Sequence, residues 1–141
     1  MNERQAIYQR VAGDAQFQTL APGGLHYLIA PEKTVFPYAI MMRLLVKPEY
    51  TFGGLTHDSG IWRLKGVANG ATDGSQSAQE QAEAIIARID ALLNDYQLPI
   101  DTGRTCQWLR RERTIPDYLE LGEQRPIFHV GYDYRLEIST P

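Results

Sequence analysis

The chain is poor in cysteine, in histidine, in basic excess and in long apolar runs, and each shortage excludes a class of protein. One cysteine among 141 residues, Cys106, rules out an internal disulfide framework and a multi-cysteine zinc site. Fourteen basic residues against seventeen acidic ones leave a formal charge of −3, against the basic excess of a protein that coats nucleic acid. No apolar run approaches the ~20 residues needed to span a bilayer. The first residues, MNERQAIYQRVAGD, carry no apolar signal segment. The three histidines, His26, His57 and His129, never fall at the close spacing that lets one element supply two metal ligands. No GxSxG, HExxH or paired-carboxylate signature occurs. The expectation is a soluble protein made inside the cell, without catalytic residues, metal or cofactor.

What is present is ordinary for a packed domain: 43% hydrophobic, 22% charged and 10% aromatic residues. The length suits a single domain over 1–141. Residues 3–12 read as a short helix with Ile7 and Val11 on one face, stopped by Gly13 and Asp14. Pro22, Gly23, Gly24, Pro31 and Pro37 make 18–37 a loop with at most a short strand at 25–29. Residues 38–47 are strand-like and apolar in both parities, the mark of a strand covered on both sides. Pro48, Gly53 and Gly54 then bracket a loop, and a second strand follows at 59–68.

The strongest periodicity lies at 78–96. Ala78, Ala82, Ile85, Ile86, Ile89, Leu92, Leu93 and Tyr96 form one helical stripe, with Ser77 and Glu80 spaced as a capping box and Pro99 as the stop. Two more strands are predicted, at 104–113 and 127–138. In the second, Phe128, Val130, Tyr132, Tyr134, Leu136 and Ile138 point inward, and His129, Asp133, Arg135 and Glu137 point outward. An acidic loop with prolines joins them at 116–126. The order is helix, two strands, helix, two strands.

Candidate chemistry is sparse. The turn at 70–75 sits where phosphate loops sit, but it lacks their lysine and carries Asp73, so a turn followed by a helix cap is the better reading. His57 beside Asp58 reads as a surface histidine, and Cys106 beside Trp108 as an inert buried thiol. Asp90, Asp95 and Asp101 read as solvated residues. Arg104, Arg110, Arg111 and Arg113 crowd one strand, to be joined by Arg63 and Lys65 if the strands are neighbours and balanced by Asp117, Glu120 and Glu123. Tyr50, Phe52 and Leu55 place large apolar groups on a glycine-containing loop, and with Met41 on the two-sided strand they are the candidate interface residues. Arg111 and Arg113 are candidates for pairing with the acidic loop of a neighbouring copy.

The sequence of these pieces carries a resemblance. A short N-terminal helix leads to Gly24, Leu25, His26, Tyr27 and Leu28, and Phe36, Pro37 and Tyr38 open a strand. A charged and apolar strand, the alanine- and isoleucine-rich helix and a terminal strand with Gly131, Tyr132, Asp133, Tyr134 and Arg135 complete the chain. The whole resembles the tail-completion proteins of tailed bacteriophages, the tail terminators or tail-to-head joining proteins. The resemblance implies an α+β fold: a mostly antiparallel sheet of about four main strands, one long helix packed on a face, and a short N-terminal helix.

It further implies a structural virion protein without catalytic residues. Copies of the chain, six in that family, would form a ring that ends the tail tube and joins it to the head–neck connector proteins. Genomic DNA would pass through the lumen without sequence-specific binding. The protein would be assembled in the host cytoplasm and have no membrane partner. Another phage neck or head-completion protein, or a small cytosolic ligand-binding domain or enzyme, are the alternative readings.

Overall fold

A computed structural model describes residues 1–100, 103, 105–122 and 124–139, with the side chains of residues 51, 55, 56 and 107 left aside. The elements are α1 (Glu3–Ala12), α2 (Ala15–Leu20), β1 (Leu25–Tyr27), β2 (Tyr38–Thr51), β3 (Gly54–Ala68), α3 (Ala78–Leu93), β4 (Thr105–Thr114), β5 (Tyr118–Glu120) and β6 (Ile127–Ser139). The strands form one six-stranded sheet in the order β1-β2-β3-β6-β4, with β5 also pairing β6. β6 is antiparallel to β3 along 12 residue pairs, from His57 opposite Ser139 to Ala68 opposite Phe128.

α3 forms where the stripe predicts it. Ser77 caps it by accepting the Glu80 N–H at 3.1 Å and turns its own hydroxyl to the Glu80 carboxylate, so the capping box is half made. Ile85, Ile86, Ile89 and Leu93 are all at most 2% exposed, each worth roughly 1.5–3 kcal/mol of burial. They pack with Phe17 of α2 and Ile7 of α1 on the sheet face carrying Trp62, Leu64, Tyr134 and Leu136. Close packing of helix on sheet explains Gly66: a Cβ there would come within 2.8 Å of the Ala82 carbonyl oxygen on α3. α1 carries a complete capping box between Asn2 and Gln5.

The expected sheet is corrected by this topology. It has six strands, not about four, and it is mixed, because β1 runs parallel to β2 with Leu25, His26 and Tyr27 opposite Ala39, Ile40 and Met41. Among the described residues there are three helices, and α3, expected as one long helix, has 16 residues. Asp14, read as a stop, accepts the Phe17 N–H at 2.8 Å and starts α2 instead. Residues 48–58, read as a loop, lie in a long hairpin of β2 and β3. Gly54, at φ +112°, supplies the turn conformation that side chains disfavour. Pro48 is accommodated because β2 lies on a sheet edge beyond the reach of β1. β5 is a three-residue strand within the expected acidic loop.

The double cover expected for residues 38–47 holds only at their start. Ala39, Ile40 and Met41 are buried, whereas Leu44, Leu45 and Val46 are 39%, 56% and 39% exposed.

A candidate assembly surface

The sheet face away from the helices is polar, and its charges are arranged across strands. Asp133 on β6 is fully buried between two arginines. Arg63 of β3 donates from Nε to Oδ1 at 2.8 Å and from Nη2 to Oδ2 at 3.2 Å, and Arg113 of β4 donates from Nε to Oδ2 at 2.6 Å. Burial alone would raise the Asp133 carboxyl, but the hydrogen bonds from Arg63 and Arg113 outweigh it and hold the group below the ordinary carboxylate range. Further along the face, Arg135 pairs with Glu112 and His57 with Glu137. Lys65 donates to the Tyr118 hydroxyl at 3.0 Å.

His129 and Asp133, expected to point outward into solvent, are on that face but buried. The His129 ring stacks on Tyr118 with centroids 4.2 Å apart, and its Nε2 lies 3.1 Å from Glu120. Its Nδ1 is buried with no partner among the described residues. Burial, and then Lys65, hold the imidazole below its ordinary value against the opposing pull of Glu120.

The candidate interface residues are divided by the fold. Tyr50 and Phe52 stand at the hairpin tip, and Phe52 is fully solvent-exposed. The Leu55 side chain lies outside the described residues, as do Arg104, Asp101 and Glu123. Met41 is 0% exposed and belongs to the core, because β1 and the helices cover the start of β2. Arg111 reaches Asp90 at 3.2 Å and lies over the Tyr132 ring, and Arg113 holds Asp133. With Arg110 on Asp95 at 2.9 Å, the described arginines of β4 find their carboxylates inside the same chain. Arg63 does meet the β4 arginines, but across β6 and through Asp133, a residue whose burial no sequence pattern announced.

The readings of the turn and the thiol agree with the structure. Gly70 gives its N–H to Gln81 and its carbonyl to Arg125 in a closed turn before α3, and the buried Cys106 thiol is pushed above its ordinary value by burial.

What stays unsatisfied lies at the rims of the sheet. β1 covers only the first part of β2, ending with the Leu28 N–H on the Met41 carbonyl at 2.9 Å; among the described residues nothing pairs with the outer edge of β2 beyond that point. β5 pairs with β6 alone, and its outer edge is likewise uncovered. Leu119 within it and Leu121 just after it are 62% and 94% exposed. Open strand edges are templates for pairing with another chain, and exposed apolar side chains beside them are of the class that marks surfaces where proteins associate.

A family comparison gives that class its identity. The family model described as Tail completion protein gp17 matches residues 5–125, and the chain belongs to this family of bacteriophage tail structural proteins. It is a virion component. Among solved structures, a chain from the virion of a native gene transfer agent particle shares the fold with a TM-score of 0.72 at 14% identity, covering 97% of this chain and 94% of that one. A second solved structure matches with a TM-score of 0.57 at 18% identity, covering 98% and 94%. No curated protein matches the chain. No helix among the described residues is long and apolar enough to cross a membrane.

Proposed function

We propose that copies of this chain close into a ring, of six by the family resemblance, which ends the tail tube and joins it to the head–neck connector. The observation that carries this reading is the tail-completion family match over residues 5–125. The surface supports it: a hairpin projects Tyr50 and Phe52 into solvent, and the sheet is left open at two edges. A ring follows when one patch meets a different patch on the next copy and the rotation per copy closes. The shared fold with a chain of a gene transfer agent virion agrees with a place among head and tail proteins. The role is structural, and the partners are further copies, the tube protein and the connector.

DNA leaving through the lumen needs a wall that does not grip it. A strongly basic wall would hold phosphates by counterion release. Here the net charge is −3, and the described β4 arginines are already paired with Asp90, Asp95 and Asp133. The direct test is electron microscopy of particles made when this chain is eliminated by a nonsense mutation. Overlong tails and unjoined heads are expected. Tails of normal length on joined virions would refute the proposal, and normal free tails beside leaking heads would move the chain to the head side of the neck.

A further inference from the structure

Within the described residues, most charged side chains are already satisfied inside the chain, so those that are not carry information. Arg43 and Lys47 on β2 have no hydrogen-bond, ion-pair or ring partner there, and neither has Asp117 before β5; Glu3, Glu32 and Lys33 also lack one, but they lie on α1 and in the loop after β1 and not on an open strand. The first two lie on one rim of the sheet. Because β3 occupies one edge of β6 over Phe128 and His129, β5 must pair with the other edge, which puts Asp117 on the opposite rim. Uncompensated positive charge on one edge thus faces away from uncompensated negative charge on the other.

The apolar groups follow the same division. The open stretch of β2 runs over residues 43–47, with Leu44, Leu45 and Val46 half exposed, and Pro48 ends it because it has no N–H to offer a further strand. Residues 117–121 (DYLEL) match it in length, with exposed Leu119 and Leu121 and the carboxylates of Asp117 and Glu120. Where β1 stops, a cleft of about 130 Å³ lined by Asn2, Glu3, Arg4, Tyr27, Arg43 and Trp62 opens beside the vacant lane.

We infer that residues 117–121 of one copy add as a strand to the open edge of β2, residues 43–47, in the next copy. The contact is heterologous, so each copy offers one edge and accepts the other, and the sheet continues from subunit to subunit. Lys47 meets Asp117 across the junction, while the leucines and Val46 bury one another. This rests on the ring reading and names its contact. It also gives the acidic segment a partner that is not β4.

The test uses the full chain with Lys47→Glu, with Asp117→Lys, and with both, followed by native mass spectrometry and sedimentation alone and in the presence of purified tail tubes. Both side chains are exposed, so melting temperatures should match the parent. Each single reversal should weaken ring formation about tenfold or more, because like charges then oppose each other across the junction. The double reversal should restore it to within about threefold. Mixing the two single variants should also restore rings, with the variants alternating, since each then presents the complement of the other. Rings that survive either single reversal, or loss that neither the double variant nor the mixture repairs, would overturn this contact and leave the ring standing. A parent chain that forms no ring, alone or on tubes, would overturn the ring itself.

Discussion

Replacing Asp133 by asparagine tests whether the polar sheet face is held together by one buried carboxylate. The substitution keeps the shape and removes the charge, leaving Arg63 and Arg113 facing a neutral amide. Removing one partner of a buried ion pair costs about 3–5 kcal/mol when the remaining charge stays buried. Here the arginine side chains are 29% and 62% exposed, so both regain some water and the cost falls to about 2–3 kcal/mol. For a domain of this size that is a drop of roughly 6–15 °C in melting temperature.

The pH dependence gives a second reading of the same group. Its folded pKa lies below the unfolded value near ~3.9, so its stabilisation is complete above about pH 4 and is lost as pH falls through the folded value. The gap between parent and variant should therefore be full at neutral pH and narrow below about pH 4. Calorimetry on both proteins across that range is the assay, with Arg113→Met as the comparison; being the more exposed arginine, it should cost less than Asp133→Asn. A cost for Asp133→Asn below about 1 kcal/mol, or a gap that does not narrow in acid, would refute the reasoning.

Three further outcomes are expected. Gly131→Ala should destabilise by about 1–3 kcal/mol at the upper end of that range, or prevent folding; its Cβ would stand 2.3 Å from the Leu64 carbonyl oxygen and 2.9 Å from the Lys65 Cα, both backbone atoms of the paired strand, and a melt within 2 °C of the parent would contradict this. Because the folded pKa of His129 lies below the unfolded value near ~6.5, its contribution to stability is complete above that pH and is lost as pH falls below it. His129→Phe should therefore flatten the stability profile between about pH 5 and 7 in thermal melts, and an unchanged slope would count against it. Ser77→Ala should cost about 1 kcal/mol through the lost N-cap of α3, read by urea denaturation, and no change in midpoint would show the cap is idle.

The position of α3 and the two late strands were legible because their patterns repeat over many residues. The stripe from Ala78 to Leu93 and the alternation from Phe128 to Ile138 each bury one face, and burial is what periodicity reports. β1 was not legible as a parallel strand, because three residues hold no periodicity and parallel pairing depends on how the 29–37 loop returns. α2 was hidden because Asp14 is equally good at ending a helix region and at capping the next one. The hairpin was broken in the sequence reading by Pro48 and Gly53, residues that punctuate central strands but are tolerated at an edge and a turn.

For the candidate surface, Phe52 and Tyr50 are exposed as expected, since an apolar run at a glycine turn has no core to enter. Met41 misled because both parities of its strand are apolar, and only the partner strand β1 decides which residues are covered. Asp133 carried no signal at all. An aspartate between tyrosines in a strand reads as solvated until the fold brings Arg63 and Arg113 to it from both sides.

One feature of the topology bears on how the subunit is made. β6 follows the other described strands along the chain, yet it lies inside the sheet and is the strand that links β3 to β4. A nascent chain that has not yet passed Ile127 holds β1, β2 and β3 as one piece of sheet with β4 and β5 unpaired, and their long-range pairing must wait for β6. A chain cut before β6 therefore has no strand on which β4 and β5 can build the second rim.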